Sequence, residues 1–184
     1  MDFNDHSNLI GMHAFLSASK YPWLRYDDEK LDAVFENHQA ARRGTELHEF
    51  AHNAIRLGVK LPNTAKTLNK YVNDAIGYRM QSEKVLFYSS NCFGTVDAIA
   101  FRRGLLRISD LKNGVSRVSM DQLKIYTALF CLEYRFKPED IETELRIYQN
   151  DEVELCLPDP MEIAAIMEKI IAFDKRIEVL KLKG

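Results

Sequence analysis

The stretch Phe93–Lys112, FGTVDAIAFRRGLLRISDLK, decides how this chain of 184 residues folds. Two runs rich in β-branched and aromatic residues, Phe93–Phe101 and Leu105–Leu111, flank Arg103-Gly104, which has the composition of a turn. If those two residues make the turn, Arg102 lies opposite Leu105, Phe101 opposite Leu106, Ile99 opposite Ile108 and Asp97 opposite Asp110. One face of the hairpin then carries apolar layers ending in two carboxylates, and Lys112 emerges on that same face. Opposed side chains have Cβ atoms roughly 4.5–5.5 Å apart, where like charges destabilise a sheet. Two aspartates so placed call for a positive charge between them, and a divalent metal suits their hard oxygen atoms. A three-residue loop at 102–104 would instead shift the pairing by one and send the carboxylates to opposite faces. Arg103 is also a poor residue for the positive φ of a type I′ turn.

Outward from the hairpin, the spacing predicts a helix over 31–57. Leu31, Val34 and Phe35 form one stripe, Leu47, Phe50, Ala51 and Ala54 continue it, and Gly58 closes the helix. A weaker helix is expected over 65–80, a strand over Lys84–Tyr88, a helix over Val118–Phe136 and a strand over Glu142–Gln149. The last helix has Asp159 as cap, Pro160 in the first position and Glu162 to complete a capping box. Its stripe of Ile163, Ile166, Met167, Ile170, Phe173, Ile177 and Leu180 is expected to pack on the core. The element order predicts an α+β fold, a small mixed sheet flanked by helices. We read one domain over 1–184, with a core over about 40–150 and an amphipathic helix over about 160–182.

Composition excludes several classes. With 46% apolar and 28% charged residues the chain is neither disordered nor built for a bilayer. No apolar run approaches the roughly 18 residues of a membrane span, and MDFNDHSN lacks the basic-then-apolar order of a secretory signal. The cysteines, Cys92, Cys131 and Cys156, are few and scattered, against a zinc knuckle, a disulfide framework or an iron–sulfur cluster. The net charge of −2 hides a division, because residues 41–137 carry sixteen Lys/Arg against eight Asp/Glu. This basic middle between acidic ends points to an anionic partner.

The series G44-T-E-L-H48, G94-T-V-D97, D110-L-K112 and Q122-L-K-I-Y126 resembles the motifs of the PD-(D/E)XK nuclease superfamily. The likeness is greatest to the RecB-like branch, with its CRISPR-associated and phage exonucleases. L16-S-A-S-K20 is similar to the lead-in segment of that branch, and the resemblance spans roughly 14–150. Two departures stand out: Val96 replaces the usual proline before the first aspartate, and Asn113 follows the lysine where threonine or serine is common. The resemblance implies a PD-(D/E)XK, restriction-endonuclease-like core and a Mg²⁺- or Mn²⁺-dependent deoxyribonuclease, an exonuclease rather than a sequence-specific cutter. His48, Asp97, Asp110 and the Leu111 carbonyl would hold the metal, and Lys112 would act on the attacking water. Gln122 and Tyr126, four apart on one helix face, would brace the site. Gln122 has a competing role, since Ser119-Met-Asp-Gln122 is a capping box, and Tyr126 could equally belong to the core.

DNA is the expected partner, with Arg42, Arg43, Arg117 and Lys124 as candidates for phosphate contacts. The same likeness implies a cytoplasmic setting in a bacterium or phage-infected cell, and leaves open a second copy or a recombination or replication protein as partner. No membrane role is expected. Two rival readings stand beside it. H48-E-F-A-H52 matches the zinc-protease signature, with two histidines on one helix face and Glu49 as base, although no downstream motif offers a third ligand. The other is a protein that keeps the nuclease fold and binds nucleic acid without cleaving.

Overall fold

The computed structural model describes residues 14–16, 18–114 and 118–183, without the side chains of 18–21. Two compact units divide at Arg43/Gly44. In the first, a 3-10 helix over Ala18–Arg25 precedes α1 (Asp28–Leu57), whose start is capped by Asp27 Oδ1 accepting from Lys30 N at 2.8 Å. Phe15 there stands edge-on to Phe35, ring centroids 5.1 Å apart. The L16-S-A-S-K20 side chains after Leu16 lie outside the described residues.

The second unit begins within α1 and adds α2 (Thr67–Gly77), β1 (Gln81–Ser89), β2 (Cys92–Arg102) and β3 (Leu105–Leu111). Then come α3 (Asp121–Tyr134), β4 (Glu142–Gln149), β5 (Glu152–Cys156) and α4 (Pro160–Lys181). The strands form one sheet in chain order, antiparallel except for β3 beside β4. The fold is therefore α+β with a mixed sheet, as the element order predicts. The parallel step needs a crossover, which α3 supplies.

Local chemistry explains the element ends. α1 closes in a Schellman arrangement: Gly58 at φ 68° lets its N–H reach Ile55 O while Val59 N–H reaches Ala54 O. Arg103 and Gly104 both take positive φ, 52° and 80°, so the two-residue turn forms despite the arginine. The register runs from Arg102↔Leu105 to Ala98↔Ser109 as expected. Asp159 caps α4 by accepting from Met161 N. Glu162 is a correction: its carboxylate takes Lys124 Nζ at 2.6 Å, joining α4 to α3 instead of closing a capping box.

Helices cover both faces of the sheet. On one face Val96, Ile99, Leu106, Ile108, Leu145 and Ile147 pack with Leu123, Leu129 and Phe130 of α3 and Ile163 of α4. On the other, Ala98, Leu111 and Tyr148 pack with Ala51, Ala54 and Ile55 of α1 and Tyr71, Val72 and Ala75 of α2. Central strands β3 and β4 are thus covered on both sides, and Leu106, Ile108 and Leu111 of β3 and Leu145, Ile147 and Tyr148 of β4 are buried. Several positions expected on apolar stripes are exposed, Phe35 of α1 among them. Phe50 is exposed, because Ala51, Ala54 and Ile55 form the buried stripe. Phe173, Ile177 and Leu180 are exposed too: only the first half of α4 lies over the sheet. Its second half is held by polar ties, Asp174 accepting from Ser89 and Asn91 and Glu178 from Asn91.

Gly94 marks the tightest strand-to-helix approach, since a Cβ there would stand 2.9 Å from Tyr126 Cε1. Gly94→Ala is expected to lower stability by about 1–3 kcal/mol, read as a drop in melting temperature, because the Tyr126 ring cannot move without losing its contacts. No helix among the described residues is long and apolar enough to cross a membrane.

Candidate metal centre

β2 and β3 pair as far as Ala98↔Ser109 and then part, so the next residues, Asp97 and Asp110, flank an opening at the sheet's end. The alternation of β2 also breaks here. Val96 and Ile99, three apart, share the α3-side core, while Ala98 faces α1 and α2. In β1 the same break falls at Glu83, which the ladder skips between Ser82↔Ala98 and Lys84↔Val96 and which takes φ 53°. This irregularity, an unpaired Glu83/Asp97 position inside an unchanged register, re-aims the side chains it carries. Asp97 therefore does not simply continue the apolar face of Ile99 and Phe101, whereas Asp110 keeps its place after Leu106 and Ile108 on the unbroken alternation of β3.

Asp97 Oδ2 accepts the Leu111 N–H at 2.9 Å and lies 3.3 Å from His48 Nδ1. That bond to Asp97 raises the His48 pKa above its usual value against the opposing effect of burial, and the charges of Asp97, Asp110 and Glu83 add to it. Asp110 is 3% exposed. Burial pushes its carboxyl up, and the charge of Asp97 acts in the same direction while Lys112 and His48 oppose it. Lys112 Nζ donates to Asp110 Oδ1 at 3.1 Å and to Gln122 Oε1 at 3.1 Å. It also lies 3.0 Å from Asp110 Oδ2, yet that oxygen is buried and accepts no hydrogen bond: the angular requirement is met only at Oδ1.

The expected residues are largely brought together, with one addition. Ligand atoms of His48, Glu83 and Asp97 lie within 4.8 Å of one another. Asp110 stands outside that group, its oxygens on Lys112, and couples to it through charge. Leu111 contributes a backbone N–H that aims Asp97, while its side chain is fully buried. Glu83 is the residue that sequence reasoning missed. The one signal for it lies in the register of the β1–β2 hairpin, which a bulge between Phe87 and Ser89 displaces by one.

Gln122 and Tyr126 occupy the helix face turned to the site. Gln122 Nε2 donates to Tyr126 Oη at 3.3 Å, and Tyr126 Oη donates to Thr95 O at 2.6 Å. This chain settles the competing roles: Ser119 Oγ accepts from Asp121 N, but the Gln122 side chain serves Lys112 instead of the helix end. Tyr126 does both jobs, packing against the core with its ring and anchoring the chain with its hydroxyl. Lys124 is committed to Glu162. Arg42 and Arg43 are exposed in the first unit, and Arg117 lies outside the described residues.

The histidine pair of the zinc-protease signature separates. His48 engages Asp97, whereas His52 Nδ1 is bonded to the Ser82 hydroxyl at 2.9 Å and is absent from the metal-capable group. Glu49 is exposed.

The donor set fits a hard divalent cation with one histidine ligand. The site is rich in carboxylate: Asp97, Asp110 and Glu83 stand together, and the one lysine bonded there, Lys112, is already paired with Asp110. A test that needs no catalysis follows. Asp110→Asn is expected to raise the melting temperature of the metal-free protein, because burial and the charge of Asp97 outweigh the pairing with Lys112. The sign follows from the raised Asp110 pKa: a carboxyl that holds its proton more tightly when folded favours the folded state below its unfolded value, near 3.9, and loses that contribution as pH rises through the folded value. The gain should therefore be absent at the acidic end of that window and grow toward neutral pH. With Mn²⁺ present it should shrink or reverse.

No family model, curated protein or solved structure matches the chain.

Proposed function

We propose that this protein is a metal-dependent DNA nuclease with a PD-(D/E)XK-type core, acting on phosphodiester bonds. The observation that carries the reading is the placement of Lys112 on the buried Asp110 while Asp97 holds His48 across the same opening. Bound by His48, Asp97, Asp110 and Glu83, Mg²⁺ or Mn²⁺ would supply Lewis acidity toward water and the phosphoryl group.

The remaining roles belong to the chain itself. The Leu111 N–H and His48 fix the Asp97 carboxylate from two sides, so it needs little reorganisation to act as a ligand. Lys112 is a quarter exposed, placed to meet solvent and a phosphate at one end while Asp110 and Gln122 orient it. There it would position the attacking water and offset charge building on the phosphoryl oxygens. Gln122 and Tyr126 are positioning residues: they run a hydrogen-bonded chain from Lys112 to the Thr95 carbonyl and so tie the lysine to β2. DNA as substrate rests on the basic middle of the sequence and on the motif order.

The test is cleavage of end-labelled linear and closed circular DNA with Mg²⁺, Mn²⁺, Zn²⁺ or EDTA. Loss of linear DNA alone, with Mg²⁺ or Mn²⁺, is the exonuclease result. Cutting of circles keeps the site and makes the enzyme an endonuclease. No cleavage with any metal overturns the proposal.

A further inference from the structure

The β1–β2 hairpin extends beyond the metal centre, and one face of it is exposed among the described residues. Leu86 and Val96 turn toward α3, as does Gly94, so the alternate positions Val85, Phe87, Phe93 and Thr95 turn away from it. All four are exposed, Phe87 at 49% and Phe93 at 60%. Phe87 and Phe93 are direct partners across the hairpin, and their rings stack with centroids 6.2 Å apart and planes 29° apart. Val85 pairs with Thr95, and the next position along the same face is occupied by Glu83 and Asp97. The strip thus leads to the metal-capable group, at the point where the ladder skips Glu83 and Asp97.

We propose that this strip is a stacking platform for the bases of single-stranded DNA flanking the cleaved phosphate. The inference rests on the nuclease reading above and adds how the substrate is held. Three observations favour a nucleic acid strand over a protein. First, two exposed aromatic rings on adjacent strands offer flat faces, and base–aromatic stacking tolerates any sequence. Second, neither rung carries an acidic side chain of its own, and the Glu133 carboxylate that reaches β1 from α3 accepts from the Phe87 N–H at 2.9 Å. Third, same-face residues advance roughly 6.6 Å per rung, which sets Phe87 and Phe93 about 13 Å from Glu83 and Asp97. An extended strand with one phosphate at the metal centre reaches that far with its next nucleotides. Placed there, the rings would unstack and hold an end, while the centre handles the phosphate.

The experiment compares two fluorescent oligonucleotides of equal length by anisotropy, in EDTA so that none is cut: an oligothymidylate, and one with abasic sites in place of the bases. Both present the same phosphates. The full-length wild type is expected to bind the thymidylate about 10-fold or more tightly than the abasic strand. Phe87→Leu/Phe93→Leu, which keeps apolar area and removes the flat rings, should lose that preference while its affinity for the abasic strand stays the same. Its melting temperature should fall by only a few degrees, since both rings are about half exposed and lose only their mutual stacking. Equal binding of the two strands by the wild type, or an undiminished preference in the variant, overturns the platform. So does a change of oligomeric state on removing the rings, which would make the strip an interface between copies. Hydrolysis of bis(p-nitrophenyl) phosphate, which has no base to stack, separates the two readings: its loss in the wild type strikes the nuclease proposal and leaves the platform standing. In the double variant it should be unchanged.

Discussion

Asp97→Asn is expected to reduce metal-dependent phosphodiester hydrolysis by at least about 100-fold, since even residues that only orient a metal ligand cost 10–100-fold when changed. The asparagine keeps an acceptor for the Leu111 N–H, which the wild-type carboxylate takes at 2.9 Å. The fold therefore survives, and the loss reads on chemistry. Asp97→Ala would confuse the two, because an unsatisfied backbone N–H beside the fully buried Leu111 costs about 1–3 kcal/mol by itself. The same substitution also releases His48, whose pKa is raised chiefly by its bond to Asp97. His48 should then titrate closer to its ordinary value, which proton NMR of the imidazole can follow. Initial rates at saturating Mn²⁺ and at several concentrations of the metal would show whether the defect lies in metal affinity, in turnover or in both.

Lys112→Ala is expected to lower the same rate by about 10²–10³-fold, the cost of deleting one donor aimed at developing charge. Its effect on the metal should be the opposite of that in Asp97→Asn. Lys112 neutralises Asp110 at 3.0–3.1 Å, so removing it leaves more negative charge for a cation, and Mn²⁺ should bind at least as tightly as before. Lys112→Arg should not restore activity: guanidinium does not give up its proton, and its planar fork cannot meet Asp110 and Gln122 as a single nitrogen does. Unaltered turnover in Lys112→Ala would show that the lysine only balances the buried carboxylate.

Much of the fold was legible because each element carries its own signal. Arg103-Gly104 sets a two-residue turn, and the register that follows from it is the observed one. Glu142–Gln149 matches its strand to the residue, since Leu145 and Ile147 fill one core. β5 was missed although Asn150 and Asp151 mark a turn of the same kind, both at positive φ. Its five residues alternate too briefly, with Glu152 and Glu154 exposed, to stand out from a loop. The far half of α4 deceived for the reverse reason: Phe173, Ile177 and Leu180 keep the helical period after the sheet beneath has ended.

At the site, His48, Asp97 and the Asp110–Lys112 pair were legible from spacing and motif order. Glu83 was not, because two irregularities intervene. Counted from its turn at Ser90-Asn91, the first rung Ser89↔Cys92 would place Lys84 opposite Asp97. The bulge between Phe87 and Ser89 shifts the register by one and brings Glu83 into that place, where its positive φ lets it join His48 and Asp97. Bulges depend on how strands meet sheet neighbours and helices, which local composition does not record. The choice between capping and site roles for Gln122 was likewise tertiary: Lys112 comes from a strand end ten residues earlier.

The claim on which the rest depends is that His48, Asp97, Asp110 and Glu83 form a centre for a divalent cation. Isothermal titration of Mn²⁺ into the chelator-treated wild type and Asp97→Asn tests it without reference to any substrate. The account predicts saturable binding by the wild type and a loss of at least about 10-fold in affinity in the variant. Absence of binding by the wild type, or equal binding by both proteins, would contradict it.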